Sequence, residues 1–155
     1  MGLTKLKYVF EASHTFGNVP YPLLDINRSN QTRGYAKYSF NLMENCEYIN
    51  TSYISFMPEL HLNGLIFNRL PLIKHLNIRE VISSKIAWGN LNKNNTTIID
   101  LPSFSKGMNK PYCEVGFGIE NIFKYGRIDA IWRLSDNKNI KTSGFGIFFS
   151  VHIML

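Results

Sequence analysis

Apolar and polar residues alternate along the C-terminal stretch SGFGIFFSVHIML. One set of alternate positions is apolar throughout: Phe145, Ile147, Phe149, Val151, Ile153 and Leu155. The residues between them are mostly small or polar. Because successive side chains of a β-strand point to opposite faces of a sheet, this pattern predicts a strand with one wholly apolar face.

Two segments just upstream alternate in the same way. RIDAIWRLS places apolar residues on one face, namely Ile128, Ala130, Trp132 and Leu134. YCEVGFGIEN does the same with Cys113, Val115, Phe117 and Ile119. A tight turn containing Gly126 joins these two segments, and the polar loop SDNKNIKTS precedes the last strand. The sequence therefore predicts three consecutive antiparallel strands.

Four earlier segments also alternate, although less regularly: TKLKYVFEAS, YAKYSFNLMENCEY, YISFMPELHLNG and IREVISSKIAWG. Pro58 weakens the third of these, because proline cannot donate a hydrogen bond to a sheet. The connections include the Pro- and Asn-rich loop GNVPYPLLDINRSNQTRG, the compact connector FNRLPLIKHLN and the polar loop NLNKNNTTIIDLPSFSKGMNKP. We expect one all-β unit, residues 1–155, with about seven antiparallel strands.

The polar faces of the last strands carry charged residues, which indicate which face of the sheet can point towards lipid. They are Glu114, Glu120, Arg127, Asp129 and Arg133. If lipid is present, turning these faces outward would cost about 2 to 4 kcal/mol for each arginine near the bilayer midplane. We therefore interpret the five residues as a charge network in the lumen, and the apolar residues 145–155 as facing lipid.

Two fold classes share this alternation. A soluble β-sandwich with one wet face, binding an apolar ligand or a protein partner, is the alternative. A soluble sheet normally ends in polar residues, whereas here the apolar face continues to Leu155. The sequence therefore favours the C-terminal part of a transmembrane β-barrel of the bacterial outer membrane.

Composition and motifs argue against several other classes. The 17 Lys and Arg residues give a net charge of +6 but are scattered singly, so no nucleic-acid partner is expected. No catalytic motif occurs, and Cys46 and Cys113 do not have metal-ligand spacing. We therefore expect neither an enzyme, nor a cofactor, nor a metal site. No stretch approaches the roughly 20 apolar residues of a membrane-spanning helix.

From PYCEVGFGIENIFKYGRIDAIWRLS to SGFGIFFSVHIML, the chain resembles the C-terminal end of a Bacteroidetes outer-membrane family. Members join a carboxypeptidase-regulatory-like domain to a domain of unknown function with a barrel. The similarity extends upstream through HTFGNVPYPLL, RGYAKYSFNLM and HLNGLIFNRLPLIKHLNIREVISSKIAWG. The resemblance implies that the intact protein carries a signal peptide, a periplasmic sandwich-like domain and a barrel similar to the outer-membrane assembly-factor and surface-antigen group, and it supplies no catalytic residues. Our leading hypothesis is a barrel portion that contributes to outer-membrane transport, assembly or surface display. Cys113 and Leu155 depart from the pattern, since many barrels end in an aromatic residue.

The start MGLTKLKYVF lacks the features of a secretory signal, so the barrel interpretation predicts that the chain is a fragment of a longer outer-membrane precursor. Seven strands cannot close a single-chain bacterial barrel, for which eight is the minimum. Expected partners are outer-membrane lipid, missing N-terminal barrel strands or a second copy, and the barrel assembly machinery. The number of predicted strands creates a conflict. If the C-terminus is periplasmic, counting the strands back from it places the long loop containing Pro20 and Pro22 on the periplasmic side, where outer-membrane barrels have short turns. Either the second predicted strand is wrong or that turn is unusual.

Overall fold

The computed structural model describes residues 4–69, 76–96, 101–135 and 144–151. The described residues contain eight strands: β1 (Lys5–His14), β2 (Asp25–Ile26), β3 (Ile49–Asn50), β4 (Ser52–His61), β5 (Arg79–Asn90), β6 (Tyr112–Ile122), β7 (Gly126–Arg133) and β8 (Phe145–Val151). Helical structure in this part of the chain includes 3-10 turns at Tyr21–Leu23 and Phe67–Arg69 and one α-helical turn, α1 (Lys93–Thr96). The all-β prediction is confirmed. Among the described residues, no helix is long and apolar enough to cross a membrane.

Six of the strands form one antiparallel sheet in the order β1-β4-β5-β6-β7-β8. All five neighbouring pairs are antiparallel. The short strands β2 and β3 pair separately with each other. In the described part of the chain, β1 and β8 lie at opposite edges and do not pair, so the sheet is not a closed barrel.

The connections differ in length at the two ends of the sheet. Residues 62–78 link β4 to β5, and residues 123–125 link β6 to β7, both at what we call the short-turn end. Asn121, Phe123 and Lys124 have positive φ angles of 68°, 50° and 74° in the tighter of these turns. The connections 15–51, 91–111 and 134–144 lie at the opposite, long-loop end.

One predicted strand is wrong. The segment YAKYSFNLM has no partner strand and instead forms turns within residues 15–51, which we call the inner segment. The alternation of this segment wrongly predicts a strand. Phe40 is buried in the core as the pattern requires, but the backbone amide of Phe40 donates to the carbonyl oxygen of Arg28, at 3.0 Å, within the inner segment. Without this strand the conflict in strand number disappears, since the loop containing Pro20 and Pro22 now joins β1 to β4 at the long-loop end.

The remaining six predicted strands are present as β1, β4, β5, β6, β7 and β8, and the compact connector contains the 3-10 turn at Phe67–Arg69. Pro58 lies within β4 opposite Tyr8 of the edge strand β1. Most of the loop SDNKNIKTS and two residues predicted to face lipid, Ile153 and Leu155, lie outside the described residues.

The two faces of the sheet have different surroundings. The inner segment and the loop 101–111 cover one face, which we call the inner face, and the hydrophobic core lies beneath them. Its largest cluster consists of Phe40, Met43, Tyr48, Tyr53, Met57, Ala87, Met108 and Tyr112. A smaller cluster joins Leu42 of the inner segment to Ile131 and Phe148. The described residues leave the opposite, outer face exposed.

Candidate functional site

Charged side chains are buried on the inner face beside this core. Arg127 of β7 donates to both carboxylate oxygens of Asp129, at 2.8 and 2.7 Å. Its NH2 group also lies 2.6 Å from Glu59 Oε1 of β4. Residues i and i+2 of a strand share a face, so the spacing of Arg127 and Asp129 alone places them together. Glu59 belongs to β4, and β5 and β6 lie between β4 and β7 in the sheet. Its side chain therefore meets Arg127 above the inner face of these two strands.

Tyr35 of the inner segment lies on top of this group. Its hydroxyl donates to Glu59 Oε1 at 3.1 Å, and the guanidinium of Arg127 lies 4.2 Å from its ring centroid. A cation over an aromatic face is attracted by the ring quadrupole. Burial, and secondarily the Glu59 carboxylate, raise the pKa of Tyr35 well above its usual value, so the hydroxyl remains a donor. Tyr35, Glu59, Arg127 and Asp129 are called the Arg127 cluster below.

An imidazole extends this cluster towards the short-turn end. His61 Nδ1 lies 3.1 Å from the Glu120 carboxylate of β6, and Nε2 lies 3.3 Å from Glu59 Oε2. The ring therefore bridges two carboxylates from different strands. Glu120 is the least buried of the five predicted network residues, with a side chain 20% exposed.

A second buried ion pair anchors the inner segment. Arg133 NH2 of β7 lies 2.7 Å from Glu47 Oε1, and NH1 donates to Glu47 Oε2 at 3.0 Å. The side chains are 0% and 2% exposed. The guanidinium also stacks over the Tyr112 ring, 4.7 Å from its centroid. Burial, and next the Glu47 carboxylate, raise the pKa of the neighbouring Tyr48 to about 12.

Glu114 holds the backbone of the inner segment rather than a cationic side chain. Its carboxylate accepts hydrogen bonds from the backbone amides of Asn41 at 2.9 Å and Leu42 at 2.7 Å. The Tyr112 hydroxyl donates to the same carboxylate at 2.6 Å. These three donors compensate the burial of a charge that is only 1% exposed.

Lys85 lies between the two groups of charges. Its ammonium donates to the carbonyl oxygens of Ala36 and Ser39 in the inner segment. It also lies 4.8 Å from the ring centroid of Tyr35. β5 thus contributes a cation that fixes the turn at residues 36–39 against the sheet.

The structure places all five residues of the predicted charge network on the inner face. Three of them are connected, because Arg127 pairs with Asp129 and also contacts Glu59, which His61 links to Glu120. The other two lie apart from this group: Arg133 pairs with Glu47, and Glu114 accepts hydrogen bonds from backbone amides. Their assignment to a lumen stays a prediction. Strand alternation located the residues but not their partners.

Sequence reasoning did not place Tyr35, Glu47, Glu59 and Lys85 in the site. Tyr35 and Glu47 lie in the inner segment, whose sequence has no regular alternation that would assign them to a face. Glu47 is also 86 residues away from its partner Arg133 in the sequence. Glu59 and Lys85 alternate with apolar residues in β4 and β5. That alternation was a signal that could have added them to the inner face.

The outer face is apolar and exposed. The predicted lipid-facing residues Phe145, Ile147, Phe149 and Val151 are 43%, 51%, 53% and 73% exposed. The same face of the other strands continues this surface with Leu6, Tyr8, Phe10, Ile54, Phe56, Ile82, Ile86, Trp88, Phe117, Ile128 and Trp132, all exposed. Contact of these residues with lipid is a prediction.

The charged groups of the inner face are held by contacts within the protein. Each ionic group described above is held by a counter-charge, a backbone amide or a carbonyl oxygen. Within residues 4–69, 76–96, 101–135 and 144–151, no group of three His, Cys, Asp or Glu side chains could hold a metal ion. The site is therefore a buried polar layer between the sheet and the inner segment.

Known proteins offer no independent guide to this arrangement. No family model, no curated protein and no solved structure matches the chain.

Proposed function

We propose that the chain forms part of the wall of a bacterial outer-membrane β-barrel that acts in transport, assembly or surface display. The observation that carries the proposal is the reversed polarity of the six-stranded sheet. Its exposed face is apolar, whereas its covered face holds, beside the hydrophobic core, the buried charges of Glu59, Lys85, Glu114, Arg127, Asp129 and Arg133. Sheets of soluble proteins bury their apolar face and leave charges in water.

The exposed apolar face supports contact with lipid. Exposed apolar surface on this scale marks a membrane or protein interface rather than a face that contacts water. It extends over all six strands from Leu6 in β1 to Val151 in β8, so a single docked peptide would not cover it. Strands of 7 to 12 residues also approach the roughly 9 to 11 residues with which a tilted strand spans a bilayer.

Two kinds of connection bear on the same proposal. Outer-membrane barrels have short periplasmic turns and longer extracellular loops. Here the three-residue turn 123–125 lies at one end and the connections 15–51 and 91–111 lie at the other, which agrees with that pattern, whereas residues 62–78 at the first end form a longer connection than residues 134–144 at the second. In this proposal the inner segment fills the lumen, with Arg127 and Arg133 as the main attachment points.

The partners in this proposal follow from the two sheet edges. Six strands are fewer than the minimum of eight for a bacterial barrel, so further strands or a second copy would complete the wall. The barrel assembly machinery and outer-membrane lipid are the other partners. The resemblance to the Bacteroidetes family with a carboxypeptidase-like regulatory domain agrees with this assignment, and membership of that family is part of the proposal.

Substitution of Ile86 by arginine tests the proposal. Ile86 lies near the middle of β5 on the outer face and is 42% exposed. In lipid the arginine should reduce the free energy of unfolding by about 2 to 4 kcal/mol. At an exposed site in water it should change that value by less than about 0.5 kcal/mol. The measurement is urea unfolding of the chain folded into phospholipid vesicles.

Phe123→Arg is the matched control, because Phe123 is 91% exposed but lies in the β6–β7 turn, outside the apolar face. We expect this variant to unfold like the wild-type chain. If the wild-type chain is instead a folded monomer in detergent-free buffer and both variants are equally stable, the membrane proposal fails. The soluble β-sandwich binding module would then become the working hypothesis.

A further inference from the structure

A cavity opens on the inner face at the short-turn end of the sheet. Its volume is about 720 Å³, and it is bounded by the ends of the six long strands together with Tyr35 and Lys37 of the inner segment. This volume lies within the roughly 300 to 1,000 Å³ typical of small-ligand sites. The Arg127 cluster forms part of its wall.

Cationic side chains dominate the lining. They are Lys5, Lys7, Lys37, Arg79, Lys124 and Arg127. Among the described residues that line the cavity, Glu59 and Glu120 supply the carboxylates. A concave surface lined mainly by one sign of charge concentrates the electric field and attracts ions of the opposite sign.

The two carboxylates are already engaged. Glu59 lies 2.6 Å from Arg127, and Glu120 lies 3.1 Å from His61. In contrast, no carboxylate of the described chain lies within 4.0 Å of the ammonium groups of Lys5, Lys7, Lys37 or Lys124. Within the described residues, these four lysines of the cavity therefore have no carboxylate partner.

The fold concentrates this charge from distant parts of the sequence. Lys5 and Lys7 are two residues apart in β1, so they share the inner face, opposite His61 and Glu59 of β4. Lys37 comes from the inner segment, and Lys124 has a positive φ angle of 74° in the β6–β7 turn. Three separate chain segments thus contribute lysines to the lining of one cavity, and the Lys37 ammonium also lies 5.0 Å from the ring centroid of Tyr38.

We propose that this cavity binds a soluble or lipid-borne polyanion that carries two or more phosphate groups. Lysine ammonium groups bind phosphate as compact charges without a fixed geometry, which suits several phosphate oxygens at once. Several cations distributed around a cavity of this volume can contact more than one phosphate group. The inference does not depend on contact of the outer face with lipid, because the cavity lies on the opposite, inner face.

Calorimetric titration with inorganic pyrophosphate tests the proposal. The full chain is held in a nonionic detergent, which carries no phosphate, and pyrophosphate is added at two salt concentrations. We expect saturable binding that weakens as salt rises, because salt screens charge–charge attraction. Lys7→Gln and Lys37→Gln should each raise the Kd by about tenfold, as expected for loss of a charge-assisted hydrogen bond.

Arg28→Gln is the control, because it removes the same charge from an exposed side chain that pairs with Glu11 and does not line the cavity. Its Kd should equal that of the wild-type chain. Absence of saturable binding, or an equal loss of affinity in all three variants, would overturn the proposal. Circular dichroism of each variant establishes that the fold is retained.

Competition in mixed micelles separates the two sources of phosphate. If a lipid with a phosphate-bearing headgroup displaces pyrophosphate, the site accepts lipid headgroups. If such a lipid does not displace it, the site accepts soluble phosphates. Both results support phosphate recognition by the cavity, and neither depends on the Ile86→Arg experiment, so the two proposals can fail separately.

Discussion

The ion pair between Glu47 and Arg133 links the inner segment to β7 through side chains that are almost completely buried. Removing one partner of a buried pair leaves the other charge without compensation. Glu47→Gln should therefore reduce the free energy of unfolding by about 3 kcal/mol, measured by urea unfolding in detergent. The exposed pair of Arg28 and Glu11 provides a comparison, and Arg28→Gln should cost less than about 1 kcal/mol. Equal effects of the two substitutions would contradict the anchoring role.

Ionisation of Tyr48 makes stability depend on alkaline pH. Its pKa rises from 10.0 to about 12 in the folded chain, chiefly because the hydroxyl is buried. The folded state therefore keeps a proton that the unfolded state releases, and this contribution to stability is complete below pH 10 and declines from pH 10 to about pH 12.

Tyr48→Phe should remove that part of the pH dependence, as measured by urea unfolding between pH 8 and pH 12. Phenolate absorbance should show one tyrosine fewer titrating near pH 12. A slope that is the same in the variant and the wild-type chain would exclude this contribution of Tyr48.

At the residue level the sequence predicts faces but not contacts. Period two placed Glu114, Arg127, Asp129 and Arg133 on one face, and the structure agrees that they share it. The partner of Arg133 lies in a segment without regular periodicity. Alternation records which side of a strand a residue occupies, and it carries no information about which loop covers that side.

Among the elements, β6 contains a glycine, Gly118, that leaves room for the charges of β7. A methyl group added at Gly118 would overlap the Asp129 carboxylate, which Arg127 holds in a bidentate pair. Gly118→Ala should therefore reduce the free energy of unfolding by about 1 to 3 kcal/mol, as for other overpacked sites. The measurement is urea unfolding in detergent.

Gly34→Ala provides the matched control for that substitution. A methyl group there would meet the nearest atoms at 3.5 and 3.7 Å, which are ordinary contact distances. We expect the stability of this variant to stay close to that of the wild-type chain. If Gly118→Ala is equally neutral, Asp129 has more freedom than its bidentate pairing implies.

The elements differ in how well their sequences specify them. β6, β7 and β8 have an outer face that is apolar at most positions, and all three strands were predicted. The segment YAKYSFNLM alternates as well, yet its backbone amides at Asn41 and Leu42 bind a Glu114 side chain instead of a neighbouring strand. The two-residue strands β2 and β3 are too short for any period to reveal them.

At the level of the whole molecule, the two edges of the sheet are not equivalent. The backbone amide of Tyr35 donates to Phe149 O at 2.9 Å, and that of Phe149 donates to Arg33 O at 3.0 Å, so the inner segment partly covers β8. In the described chain, β1 pairs with β4 alone. An uncovered strand edge readily accepts another strand.

Hydrogen exchange should reveal this difference. In detergent at low protein concentration, alternate backbone amides of β1 should exchange faster than those of β5 and β6, which are paired on both sides. Protection of β1 should increase at high protein concentration if a second copy pairs with it. Uniform protection across the sheet at low concentration would show that the β1 edge is already covered.

The reversed polarity of the sheet also bears on which substitutions the chain can accept. Outer-face positions such as Ile147 are half exposed, so exchange among leucine, isoleucine, valine and phenylalanine should change stability little. Inner-face positions such as Arg133 are fixed by a partner's charge and geometry, and should change only in compensating pairs. A mutational library of this chain should therefore tolerate diversity at its most hydrophobic positions and be intolerant at its charged ones, the opposite of the usual result for a soluble domain.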